Sequence, residues 1–193
     1  MIFTSRSLPW DKTSHSRELL LSREWLVTNG LGGFASGTIS GAITRRYHGL
    51  LIAALPAPHG RMVMWSQVSE YLRFDDDKTI SLGGEERAGG QLDLGAADYL
   101  HEFRLENGLP VWIYHVRELV LEKRVLLLHG QNTVHVIYRI LSGEKRPSLE
   151  LRPAFSFRHY ESPVNKGRPG PYRLTAIDRR YEIAAAQSGL PPL

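Results

Sequence analysis

Arg45, Arg46, Tyr47 and His48 place two guanidinium groups, a phenol and an imidazole at consecutive positions, just before the apolar run at residues 50–55. Arginine offers a planar fork of donors for sugar hydroxyls or carboxylates, and tyrosine offers an amphipathic surface. Two readings stay open. In one, an arginine and His48 bond to backbone or carboxylates inside a core while Tyr47 fills a packing site, since buried polar groups are mostly satisfied structurally. In the other, the group forms a ligand-binding or interdomain face. The charge balance around it is unusual: no Asp or Glu lies between Glu24 and Glu70, although Arg45, Arg46 and Arg61 do.

Other chemistries find less support. Glycine recurs at 30, 32, 33, 37 and 41. Gly32 and Gly37 have the spacing of a phosphate-binding loop, but Thr38-Ile39 stands where Lys-Ser/Thr is required, so no ammonium reaches a phosphate. Gly30, Gly32 and Ala35 fit the loose dinucleotide pattern, yet the residues that follow open a helix poorly. His101-Glu102 lacks the second histidine of a zinc-hydrolase helix, and no nucleophile elbow occurs. Cysteine is absent, which removes disulfides and thiolate metal sites. Asp75-Asp76-Asp77 reads as a solvated loop tip, and none of the 20 acids is singled out as a hydrolytic pair. No cofactor and no metal are expected.

The elements that must carry these residues are strands. With 193 residues, 42% hydrophobic and 23% charged, the chain suits one large globular domain. Residues 25–28, 50–55 and 61–65 read as short strands, with Pro56 to Gly60 turning between the last two. Residues 111–116, 119–128, 133–141 and 148–157 read as four further strands joined by hairpin-length turns at 130–132 and 142–147, an antiparallel meander. On the third of these, Val134, Val136, Tyr138 and Ile140 alternate with His135, Ile137, Arg139 and Leu141. Residues 1–18 look like an arm or edge element rather than a helix. The pattern predicts an all-β fold, a large antiparallel two-sheet sandwich, over residues 1–187, with a linker-like end at 188–193. The formal charge of +4 comes from scattered basic residues, which argues against nucleic acid as a partner. No apolar run is long enough for a signal peptide or membrane span, so a membrane partner is not expected and a cytoplasmic location is.

Glu24-Trp25-Leu26-Val27-Thr28-Asn29-Gly30-Leu31-Gly32-Gly33-Phe34-Ala35-Ser36-Gly37-Thr38, followed by Thr44-Arg45-Arg46-Tyr47-His48-Gly49-Leu50-Leu51, resembles the N-terminal domain of bacterial and archaeal glycogen-debranching enzymes of the amylo-α-1,6-glucosidase type. The similarity runs on through Ala53-Ala54-Leu55-Pro56, Gly60-Arg61, Glu122-Lys123 and Leu151-Arg152-Pro153. Phe157-Arg158-His159-Tyr160-Glu161 departs from the R-D-Y-H-like sequence expected there. The resemblance implies a β-sandwich of the supersandwich kind preceding an (α/α)6 barrel that carries the catalytic acids and hydrolyses α-1,6 branch linkages of glycogen. It also implies that this chain contributes no catalytic residue. Asn29, Arg45, Arg46, Tyr47 and His48 would then bind α-glucan or face the barrel. A stand-alone glucan-binding module is the alternative, with Trp10, Trp25, Trp65 and Trp112 as stacking platforms.

Overall fold

A computed structural model describes residues 5–9, 14–86, 91–144, 146–164, 170–186 and 188–193. In chain order its elements are β1 (Ser5–Pro9), α1 (Ser14–Ser22), β2 (Glu24–Thr28), β3 (Phe34–Thr38), β4 (Gly49–Leu55), β5 (Gly60–Arg73), β6 (Thr79–Ser81), β7 (Gly84–Glu86) and β8 (Leu92–Leu94). There follow α2 (Gly95–Tyr99), β9 (Leu100–Glu106), β10 (Leu109–Val116), β11 (Leu119–Leu127), β12 (Val134–Ser142), β13 (Ser148–His159), β14 (Tyr172–Ile177) and β15 (Arg180–Ala185). One sheet runs β1-β9-β10-β11-β12, and the second runs β13-β5-β4-β3-β2 with β6 added to β5. All pairings are antiparallel. The all-β two-sheet sandwich read from the sequence is the fold observed.

Strand β4 shows why two layers form. Gly49 to Ala53 are all buried, which requires cover on both faces. Leu50 joins the core between the sheets, with Trp25, Leu72, Phe103, Trp112 and Val125. Leu51 and Ala53, pointing the other way, pack with Met62, Met64 and Phe157 under β15 and the chain's last residues. Residues 188–193, expected as a linker-like end, fold back here: Leu190 is buried, and Leu193 and Ile183 exchange reciprocal 2.9 Å backbone bonds.

A carboxylate joins the two sheets. Glu70 of β5 is 1% exposed, and its Oε1 lies 2.5 Å from Lys123 Nζ of β11 while accepting the hydroxyl of Tyr138 on β12. Burial and the Glu70 charge hold the Tyr138 and Tyr114 phenols well above their ordinary value, so both stay protonated. Lys123 also lies 5.2 Å from the Trp112 ring.

Two expectations need correction. Residues 142–147 do not close a hairpin, because β13 leaves β12 and pairs with β5, Ser148 opposite Arg73. Gly143 at φ +122° and Pro147 help carry the chain from one sheet to the other, so the meander ends at β12. The early region contains an edge strand, as expected, but also helix α1, which the arm reading missed. Arg17 to Leu21 are good helix formers, and fully buried Leu20 anchors the helix to the core. Tryptophans 25 and 112 are core residues, packed edge to face at 5.5 Å, with their indole N–H groups donating to the Thr38 and Ile39 carbonyls. Trp10 lies outside the described residues.

Removing the Glu70 carboxylate strands a buried ammonium. Glu70→Ala is expected to cost about 3–5 kcal/mol in urea unfolding at neutral pH, and Glu70→Leu combined with Lys123→Met is expected to recover most of that loss. A double variant as unstable as the single one would mean that the pair does not bridge the sheets.

Candidate functional site

The two halves of the motif meet around β3. Asn29 directly follows β2 and is fully buried. Its Oδ1 accepts the backbone N–H groups of Leu31 and Gly33, both at 3.0 Å, and its Nδ2 donates to Gln131 O at 2.8 Å and Asn132 Oδ1 at 3.1 Å. Asn132 in turn clamps both backbone groups of Ala54, at 2.9 and 2.8 Å. One amide pair thus ties the glycine turn, the β11–β12 turn and β4 together. Gly33 has to be glycine here: a Cβ would sit 2.7 Å from Asn29 Nδ2 and 2.9 Å from the Ile52 carbonyl oxygen.

After β3 the chain makes an irregular excursion that returns at residues 45–48. Ser36 Oγ donates to Tyr47 O at 3.0 Å, and His48 N donates to Arg45 O at 3.1 Å, closing the turn. His48 is 1% exposed and sits beneath it. Its Nδ1 accepts the backbone N–H groups of Thr44 and Arg45, both at 3.3 Å, which places the proton of the neutral ring on Nε2. Nε2 faces Glu24 Oε1 at 3.6 Å, just beyond hydrogen-bond reach, and has no bonded partner. Burial is the main influence on this ring and pushes its pKa down from 6.5, with Glu24 opposing.

Arg45, Arg46 and Tyr47 project from the same turn. Arg45 Nε reaches Glu24 Oε1 at 3.1 Å across the edge of β2, and that contact holds the guanidinium pKa above its usual value. Tyr47 is 38% exposed and meets His48 edge to face. Arg46 is exposed, and its carbonyl is held from the far side by Arg158, whose Nη2 donates to it at 2.6 Å.

Arg158 is the residue that sequence reading passed over. It belongs to the stretch that departs from the expected pattern, yet it is 3% exposed. Its Nη1 donates to Ser162 O at 2.9 Å and to the carbonyls of His159 and Tyr160, both at 3.4 Å. Its Nε is buried with no partner, and burial lowers its pKa. A bulge in β13 aims it there. The register with β5 slips between Phe155 and Arg158, and Phe157, fully buried, takes the left-handed region at φ +47°.

An open groove of about 580 Å³ runs over the outside of β2 and β3, lined by Glu24, Leu26, Phe34, Tyr47 and Arg61 among others. Arg61 Nε donates to Gly32 O at 2.7 Å, and its guanidinium lies 5.8 Å from the Tyr160 ring, which meets Phe34 edge to face. Of the five residues singled out from the sequence, Arg45, Arg46 and Tyr47 therefore lie at the surface, while Asn29 and His48 are enclosed beneath it. Asn132, Arg158 and Tyr160 gave no usable signal, because an asparagine in a hairpin turn and an arginine in an edge strand are both ordinary.

The fold and this constellation define a class: an antiparallel β-sandwich that holds a basic, aromatic turn in the connection between β3 and β4 of its second sheet. Residues 23–191 match the family described as glycogen debranching enzyme N terminal, and the chain belongs to that family. No curated protein and no solved structure matches it. Among the described residues, no group of three or more His, Asp or Glu side chains is placed to hold a metal ion, and no helix is long and apolar enough to cross a membrane.

Two outcomes follow from the buried groups. Asn29→Ala opens four internal hydrogen bonds at once and is expected to lower unfolding stability by on the order of 3 kcal/mol in a urea titration. A buried neutral histidine binds protons less readily than it does in the unfolded chain. Its contribution is therefore complete above the ordinary value of 6.5 and declines as pH falls below it. Stability should drop as pH falls below about 6.5, and His48→Gln should flatten that part of the profile, as read from urea midpoints at each pH. An equally steep decline in the variant would assign the effect to other groups.

Proposed function

We propose that this domain is the non-catalytic N-terminal unit of a cytoplasmic glycogen-debranching enzyme, docking on the (α/α)6 barrel that hydrolyses α-1,6 branch linkages and bordering its glucan cleft. Family membership supports the parent activity. The observation that carries the docking role is the construction of the 45–48 turn. His48 and Arg158 hold it from within, and Arg45, Arg46 and Tyr47 stand outward as its product. Core packing alone gives no reason to fasten an exposed turn with two buried titratable side chains, since burying them costs free energy. In this reading the barrel supplies the general acid and base, and the sandwich supplies position and part of the wall.

The stand-alone glucan-binding module keeps one favourable observation: the exposed face of Tyr47 beside Phe34 in an open groove. It has lost Trp25 and Trp112 to the core, and Trp65 is part-buried, with its N–H donating to Gln67 O at 2.8 Å.

Both readings are tested by Arg46→Ala combined with Tyr47→Ala in a full-length debranching enzyme that carries this domain. Turnover of a branched limit dextrin is expected to fall about tenfold or more, with the melting temperature unchanged. Full activity at full stability would remove the docking role. Saturable binding of maltoheptaose by the 193-residue chain alone would instead favour the module.

A further inference from the structure

The sandwich is open along one side. Strands β12 and β13 are the terminal strands of their sheets, and between them an open groove of about 950 Å³ reaches residues of the interior, among them Leu51, Val68, Val136, Leu151 and Phe155. Trp65 and Val134 also line it, and both pack on the core between the sheets and on the cluster under β15, so the groove runs where the two cores meet. Most of its polar groups are already engaged: Asn132 on Ala54, the Tyr138 hydroxyl on Glu70, and the Trp65 N–H on Gln67 O. A sugar would find few free partners there for its hydroxyls.

The two edges differ. β13 carries Pro153, which has no N–H to offer, and its pairing with β5 slips twice, before and after Phe155. Such features keep an edge strand from accepting another. Residues 134–142 contain no proline, their exposed side chains include Ile137, Ile140 and Leu141, and Arg139 is engaged by Glu122. Among the described residues, no backbone group bonds to β12 except those of β11, so the N–H and C=O groups pointing away from β11 have no protein partner. At one end the groove already takes extended chain: Leu193 lines it and exchanges both backbone bonds with Ile183, and Leu190 nearby is buried.

We infer that the rest of the groove receives a β-strand of the debranching enzyme's own polypeptide from outside residues 1–193, which adds to β12 through backbone hydrogen bonds and sets alternate apolar side chains between β12 and β13. This rests on the reading of the chain as one unit of a larger enzyme, but not on the 45–48 turn as the place where the barrel docks.

The test follows amide hydrogen exchange of residues 134–142, and of Arg46 and Tyr47, in the 193-residue chain and in a full-length debranching enzyme that carries this domain. The outward amides of β12, every second residue, are expected to exchange about tenfold or more slowly in the full-length enzyme. Leu151→Lys and Ile140→Lys in that enzyme should return them toward the rates of the chain alone, and neither should unfold the chain, since both side chains are exposed in it. Equal exchange of β12 in the two proteins would overturn the added strand. Protection of Arg46 and Tyr47 alone would do so while leaving barrel docking intact, whereas protection of β12 alone would keep the strand and remove docking at that turn. Protection of β12 in the 193-residue chain that grows with protein concentration would assign the groove to a second copy, and protection on adding maltoheptaose would assign it to glucan; either would overturn the inference.

Discussion

A charged carboxylate in the middle of an apolar sandwich is tolerated only where its partners arrive with little freedom to miss. Glu70 meets that condition through Lys123 and Tyr138, which come from two neighbouring strands of the opposite sheet. The arrangement need not add net stability over a hydrophobic substitute, and its more certain effect is on register. A strand slipped by one residue would turn Lys123 or Glu70 to the wrong face and strand the other. Both sheets are thereby set against each other at a defined point, and everything at the edge of the second sheet inherits that alignment.

The Asn29 and Asn132 amides repeat the principle at the sandwich's other joint. They bond to each other and to three separate backbone segments, so the glycine turn cannot shift without moving the β11–β12 turn and β4. The 45–48 turn is fastened separately, by Ser36 Oγ, the His48 ring and the Arg158 cage. Its exposed side chains are positioned by groups that never reach the surface, which is why the motif is dense: part of it presents and part of it holds.

Apolar surface left exposed at the sheet edges belongs to the same account. Ile137, Ile140 and Leu141 on edge strand β12 and Leu174, Ile177 and Tyr181 on the β14–β15 hairpin are all exposed. Long apolar edges of this kind invite pairing with further chain.

Much of this was legible in the residue order, because strands announce themselves locally. The alternation at β12, the apolar runs at β4 and β11, and the turn residues at 56–60 and 130–132 depend on neighbours two to five positions away, and they predicted the right elements. The family was legible too, since it rests on a continuous run of residues. The sequence could not say that β13 deserts β12 for β5, because hairpin and crossover ask the same of a six-residue turn and are separated only by which edge offers the better packing. It marked Asn29, Arg45, Arg46, Tyr47 and His48 as a group, but had no means to divide them into buried and exposed. That division is made by Arg158, Asn132 and Gly33, up to 112 positions apart in the chain from what they touch, and only close packing of the folded molecule brings such groups within bonding distance.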